Sequence, residues 1–209
     1  MIYLGLTGSI GSGKSTTLQI IKNAGIPVYS ADEIVHHLFE TDTDLIQSIR
    51  HLFPPAVVDD RIHLKNFRHI FDTEDLIFIQ KIESIIHPKV YKRIHAILQY
   101  HHTLLTPLVC VEIPLLFETL AHFDRPDIIC VVHTTASEQR KRVLSRPGMT
   151  KVRLQKVLHR QMPAHEKLKL ADWVIYSCGT LERLEQRVKA MLQAILNAPS
   201  QPPRSTCVK

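Results

Sequence analysis

The run Gly8-Ser9-Ile10-Gly11-Ser12-Gly13-Lys14-Ser15-Thr16 carries residue types that bind phosphate. Its spacing is G-x-x-x-x-G-K-S, a phosphate-binding loop. Glycines let the backbone wrap until its N–H groups point at phosphate oxygens. Lys14 reaches the β- and γ-phosphates as a point charge, and the Ser15 hydroxyl can ligate Mg2+. Gly11, Ser12, Gly13, Lys14, Ser15 and Thr16 are therefore the expected nucleotide contacts, with a nucleotide triphosphate chain and Mg2+ as the partners. The context fits. Ile2-Tyr3-Leu4-Gly5-Leu6 reads as a buried strand before the loop, and Thr17-Leu18-Gln19-Ile20-Ile21-Lys22 reads as a helix after it. That helix adds the positive end of its dipole to the same spot. A glycine-rich turn without a ligand would not need both Lys14 and Ser15.

Other side chains could complete a phosphoryl-transfer site. Asp32 follows the second apolar run, Ile26–Ser30, where ligands gather outside the carboxyl ends of parallel strands. A carboxylate there can take the proton of an attacking hydroxyl. It can equally be a helix N-cap. Glu112 and Glu118 flank the end of the third run: Glu112 could hold a metal-bound water, and Glu118 could face a substrate cleft. Residues 138–170 are rich in Lys and Arg, and the segment could close over phosphates as a lid. Most of these charges read as a solvated helix pair, but Arg140, Arg142 and Arg146 lie nearest the strand end.

The elements that must position these groups are α/β. Five short apolar runs, at 2–7, 26–30, 108–113, 127–132 and 173–176, read as buried parallel strands alternating with helices. Gly25 is placed to cap the first helix, and Pro27 starts the second strand. The stretch between strands two and three is too long for a simple crossover. Ile34, Val35 and Leu38 mark one helix face in it, and Leu45, Ile46, Ile49 and Leu52 mark another. Asp72-Thr73-Glu74-Asp75 reads as a helix start, and His87-Pro88 as a break between two helices. The expected organisation is one kinase-like domain over 1–196. Its core is 1–31, 107–137 and 171–196, with a helical insertion at about 32–106 and a lid at about 138–170. The Pro- and Ser-rich end, 197–209, reads as a disordered tail.

Composition narrows the partners. The chain has 209 residues, is 44% hydrophobic and carries a formal charge of +6, so a sizeable core and a polyanionic ligand are both expected. No apolar run is long enough to span a bilayer. The N-terminus enters a strand without a charged leader, so a cytoplasmic protein is expected. Cys110, Cys130, Cys178 and Cys207 form no C-x-x-C pair, which suits a reducing compartment and argues against structural zinc. The pairs His36-His37 and His101-His102 lack metal-ligand spacing. Aromatic content is only 6%, which disfavours base stacking on nucleic acid.

Further segments make the pattern more selective. They are Ser30-Ala31-Asp32, Ile86-His87-Pro88-Lys89-Val90, Ile113-Pro114-Leu115-Leu116-Phe117-Glu118, Gln139-Arg140, Gln161-Met162-Pro163 and Ala171-Asp172-Trp173-Val174-Ile175. With the phosphate loop, and in this order, the chain resembles the dephospho-coenzyme A kinases over residues 1 to about 196. The resemblance implies a three-layer phosphate-loop fold with a five-stranded parallel sheet, a helical coenzyme-binding insertion and a mobile helical lid. It implies MgATP-dependent phosphorylation of the ribose 3′-hydroxyl of dephospho-coenzyme A, with Asp32 as base. Thr7, His87 and Glu118 fall where the family lines its acceptor site, and Arg140 in the lid motif that meets phosphates. A monomer is expected, with an oligomer left open. There are departures: Ser177 stands where the family often has Asn near the adenine, Val157 where many members have a lid Arg, and Ser9 where a Gly is common. Two other functions stay open on the residues alone. One is a kinase of a nucleoside or other small acceptor. The other is a non-enzymatic nucleotide- or nucleic-acid-binding protein, although no Asn-Lys-x-Asp guanine-reading motif is present.

Overall fold

The computed structural model describes residues 1–67, 76–120, 124–197 and 206–207. The chain divides into two compact units. One comprises Met1–Tyr29 and Tyr100–Lys209; the other is Ser30–Gln99.

The first unit is built on a sheet. β1 (Ile2–Thr7) lies at its centre, between β5 (Leu108–Glu112) and β6 (Ile128–His133). β2 (Val28–Ser30) lies outside β5, and β7 (Trp173–Tyr176) lies outside β6. The pairings are parallel, with Leu4 opposite Cys110 and Ile128, and Val131 opposite Val174. These are the five strands expected from the apolar runs. Strands buried on both faces need apolar side chains at every position, which is why they read as continuous runs. β2 begins later than expected. Pro27 has no N–H, yet its carbonyl still accepts from Cys110 N at 3.0 Å. One surface of the sheet packs Leu4, Leu6, Cys110, Cys130 and Val132 against α1 (Lys14–Asn23) and the last long helix, Leu181–Asn197. On the opposite surface Gly5 is close-packed: a Cβ there would lie 2.6 Å from Pro126 Cγ and 3.2 Å from Leu116 Cδ2. Burial pushes the thiols of Cys110 and Cys130 well up, so neither is a nucleophile at neutral pH.

α1 ends as its sequence predicts. Gly25 takes φ +82°, its N–H bonds to Lys22 O, and Ile26 N bonds to Ile21 O. This is a Schellman closure, in which a left-handed glycine satisfies the last carbonyls. The tail differs from expectation at one place. Thr206–Cys207 forms a two-residue strand, β8, parallel to Trp173–Val174. The other residues of 198–209 lie outside the described residues. No helix among the described residues is long and apolar enough to cross a membrane.

The second unit is mainly helical, with α2 (Ala31–Thr41), α3 (Thr43–Leu52) and all but the last four residues of α4 (Leu76–Thr103). Between α3 and α4 lies a small antiparallel hairpin, β3 (Val57–Val58) and β4 (Arg61–Ile62), that sequence reading missed. Its turn is Asp59-Asp60, both at positive φ (49° and 56°). Asp tolerates that region better than most residues, although Asn-Gly would be the recognisable signal. The expected helix start at residues 72–75 lies outside the described residues.

The expected break at His87-Pro88 does not occur, because α4 runs through Pro88. Proline removes one helical hydrogen bond and costs about 3 kcal/mol in a helix interior. Ile82, Ile86, Val90 and Ile94 are buried on both sides of it at a spacing of four. Burying each such side chain contributes roughly 1.5–3 kcal/mol, so the continuous stripe outweighs the proline.

Asp42 caps α3 by accepting from Leu45 N at 2.8 Å, and it pairs with Lys89 Nζ at 2.7 Å. Burial would raise its carboxyl, but the Lys89 and backbone hydrogen bonds outweigh that and hold it below its ordinary value of 3.8. Its contribution to stability is therefore complete above that value and lost as pH falls through the lower folded one. Asp42→Asn keeps a competent cap and removes the charge. The variant should lose about 1 kcal/mol at pH 7, and the difference from wild type should shrink as pH falls below 3.8. Urea unfolding across pH checks this; parallel stability curves would contradict it.

Candidate active site

The phosphate loop joins β1 to α1, and its geometry depends on glycine. Gly11 and Gly13 take φ +73° and +97°. A Cβ at Gly11 would lie 2.5 Å from Val143 Cγ2, and one at Gly13 would lie 3.0 Å from Ser177 Cβ. Side chains are thus excluded by conformation and by space, and the backbone stays open for an anion. Lys14 is the first residue of α1, and its Nζ donates to Gly8 O at 2.8 Å and Ser9 O at 3.4 Å. The ammonium is held across the loop, close to where phosphate oxygens would sit. Ser15 and Thr16 are exposed in the first turn of α1. The positive end of the helix dipole adds to Lys14 there.

Mg2+ is usually held by one or two protein oxygens together with phosphates and water. The exposed Ser15 hydroxyl is a hard oxygen donor in the loop, and Glu112 ends β5 opposite Leu6 in register. Among the described residues, no three His, Cys, Asp or Glu side chains gather into a metal cluster. This donor set suits a cation that arrives with the nucleotide.

Three helices follow β6: α6 (Ala136–Leu144), α7 (Lys151–His159) and α8 (Ala164–Leu170), numbered after a short α5 (Leu116–Thr119). Thr135 caps α6 by accepting from Glu138 N, and Thr150 caps α7 by accepting from Arg153 N. Glutamines tie this region to the loop. Gln139 Nε2 donates to Ile10 O at 2.8 Å, and Ile10 N donates to Gln161 Oε1 at 3.1 Å. Arg142 donates to Ser177 through both terminal nitrogens, to Oγ and to O, each at 2.9 Å. Ser177 Oγ in turn donates to Ser12 O. Ser177 therefore clasps α6 to the phosphate loop. Arg187 Nη1 donates to Tyr176 O and Cys178 O, which shapes the turn that carries Ser177. Val157 is half-buried in α7 and offers no polar group.

The expected site residues fall in both units. Thr7 is fully buried at the end of β1, and its hydroxyl donates to Pro114 O at 3.3 Å. Glu118 sits in α5, where its Oε1 accepts from Met162 N at 2.7 Å and lies 2.8 Å from Lys167 Nζ. Arg140 and Arg146 are exposed, whereas Arg142 is tied to Ser177. The first unit thus brings together Thr7, residues 8–16, Glu118 and Arg142, whereas Arg140 is exposed on α6. Asp32 and His87 belong to the second unit. Asp32 is exposed at the second position of α2, and the N-cap is Ser30. The carboxylate is thus not used as a cap and remains available to a ligand. His87 is half-buried, with its ring centroid 5.9 Å from that of Tyr91.

Sequence reasoning missed the roles of Gln139, Gln161, Arg142, Ser177, Arg187 and Lys167. Gln139 and Gln161 were visible only as parts of a resemblance. The others contact partners far along the chain, and spacing gives no sign of that. It also missed His133, which lines a pocket of about 80 Å3 with Ser9, Ser12, Thr134, Gln139 and Lys167. Burial lowers the His133 pKa, which keeps its imidazole neutral at pH 7.

Known proteins share this fold. A family model described as dephospho-CoA kinase matches residues 2–182. The chain is similar to a dephospho-CoA kinase of Mesorhizobium japonicum, 41% identical, covering 93% of this chain and 97% of that one. It is also similar to the crystal structure of TT1252 from Thermus thermophilus, with a TM-score of 0.76 and 34% identity, over 91% of this chain and 96% of that one. A dephospho-CoA kinase structure from Campylobacter jejuni aligns at a TM-score of 0.62 with 24% identity, over 92% and 96% of the two chains, and supports the fold.

Proposed function

The chain belongs to the dephospho-CoA kinase family, and from that premise we propose that it transfers the γ-phosphoryl group of ATP to the ribose 3′-hydroxyl of dephospho-coenzyme A. The products are coenzyme A and ADP, the last step of coenzyme A synthesis. The observation that carries the reading is the phosphate loop itself, built and braced as a triphosphate cradle, within a family match that spans both units.

The residues divide the work. Backbone N–H groups of Gly11 to Thr16 and the Lys14 ammonium hold the phosphates and neutralise charge that builds on the transferring group. Ser15 would hold Mg2+, which would supply further neutralisation of phosphate charge. Asp32 orients the 3′-hydroxyl and takes its proton as that oxygen attacks phosphorus in line with the leaving oxygen of ADP. Its exposure and its freedom from capping suit a group that must meet substrate. Thr7, His87 and Glu118 serve the acceptor side. Thr7 does so by fastening the end of β1 to the Ile113–Pro114 turn, and Glu118 by bracing the return of the lid. Arg140 meets phosphate oxygens from α6. Residues 138–170 act as the lid, and closure keeps water from diverting the phosphoryl group. The helical unit of residues 30–99 grips the coenzyme. The formal charge of +6 suits two polyanionic substrates. The enzyme acts as a soluble monomer in the cytoplasm, without nucleic acid.

An acceptor screen at fixed MgATP tests the substrate. Dephospho-coenzyme A should exceed adenosine, nucleoside monophosphates and simple phosphorylated alcohols by about a hundredfold or more in kcat/KM. Equal turnover of a nucleoside would replace this acceptor with that one.

A further inference from the structure

Lys167 carries its charge inside the protein. The residue is 0% exposed in α8, and its ammonium lies 2.8 Å from Glu118 Oε1, its one ion pair among the described residues. A buried charge costs several kcal/mol, and replacing such a pair by neutral groups is often harmless to stability. Folding alone therefore gives a weak reason for this lysine.

The contacts around it give a better one. Glu118 Oε1 also accepts from Met162 N at 2.7 Å. Gln161, the preceding residue, takes the Ile10 N–H at 3.1 Å, and Ile10 O accepts from Gln139 at 2.8 Å. Lys167 thus fixes the glutamate that fixes the Gln161–Met162 turn, and that turn holds one corner of the phosphate loop. Lys167 also lines the pocket with Ser9, Ser12, Thr134 and Gln139. The hydroxyls of Ser12 and Thr134 are buried without a hydrogen-bond partner among the described residues. In such surroundings a positive charge acts strongly at short range. We propose that Lys167 is a positioning residue for nucleotide binding: through Glu118 and Gln161 it holds the Ser9–Ile10 corner of the phosphate loop in the shape that receives ATP.

The test compares wild type with Lys167→Met combined with Glu118→Gln. This double variant neutralises both charges and keeps an oxygen for Met162 N. Its melting temperature should stay within a few degrees of wild type, while its Kd for MgATP, by calorimetry, should rise tenfold or more. A merely structural pair predicts the reverse, with Kd changed less than threefold. Gln161→Met guards against a double variant that does not fold. It leaves the ion pair intact and cuts the link to Ile10, and it too should weaken MgATP tenfold; a wild-type Kd would overturn the proposal. This inference rests on the nucleotide half of the functional reading. Wild-type protein that bound MgATP but did not phosphorylate dephospho-coenzyme A would defeat the acceptor assignment and leave this comparison intact.

Discussion

Asp32→Asn is expected to lower phosphoryl transfer about a thousandfold, within the range for loss of a general base, while MgATP affinity stays near wild type. The argument starts from the local structure. Asp32 occupies the second position of α2, behind an N-cap that is Ser30, and it is exposed. The structural service seen among the described residues is a negative charge near the positive end of a helix, worth roughly 0.3–1 kcal/mol. Asn has nearly the same shape and hydrogen-bonding reach but cannot accept a proton at neutral pH. A purely structural Asp32 therefore predicts a small stability loss with activity retained. A base predicts nearly unchanged stability with transfer abolished. Single-turnover transfer, a MgATP titration and thermal melting on the same preparation separate the two. Transfer within a few-fold of wild type would remove Asp32 from the chemistry.

Lys14→Ala has the second large effect. Turnover should fall by about a hundredfold to a thousandfold, as for loss of a charged donor aimed at a transition state. The fold should survive, because the lysine is half-buried and donates to loop carbonyls, those of Gly8 and Ser9, rather than to the core. Lys14→Arg should recover little, since a planar fork does not replace a compact ammonium between a loop and a phosphate chain. Circular dichroism and melting establish folding, and steady-state kinetics with varied MgATP give the loss. Unchanged kcat/KM for ATP in Lys14→Ala would overturn the assignment of the loop.

The sheet was legible because strands buried on both faces leave uninterrupted apolar runs. The loop was legible because phosphate binding needs glycine, lysine and a hydroxyl at one spacing. Gly25 was legible for a similar reason: a helix end that requires positive φ selects its residue. Elsewhere local rules were overruled or silent. Pro88 read as a break, but the stripe of Ile82, Ile86, Val90 and Ile94 carries α4 through it. The Asp59-Asp60 hairpin uses a turn pair that gives little signal. Position alone could not decide whether Asp32 was a cap or a ligand group; in the structure Ser30 holds the N-cap position and Asp32 lies inside the helix. The braces of the site join distant segments: Ser177 to Ser12 and Arg142, Glu118 to Met162 and Lys167, and Gln161 to Ile10. Such links have no period and no spacing, so only the folded chain shows them. Ser177 illustrates the point. In the sequence it is a departure from the Asn that the resemblance leads one to expect, whereas in the structure it joins the phosphate loop to α6.

The most direct measurement is ADP release from MgATP with and without dephospho-coenzyme A, followed by the mass of the product. The account predicts ADP release that depends on dephospho-coenzyme A, one product per ADP, and a product heavier by one phosphoryl group. ADP release that ignores dephospho-coenzyme A, or a product of unchanged mass, would contradict it.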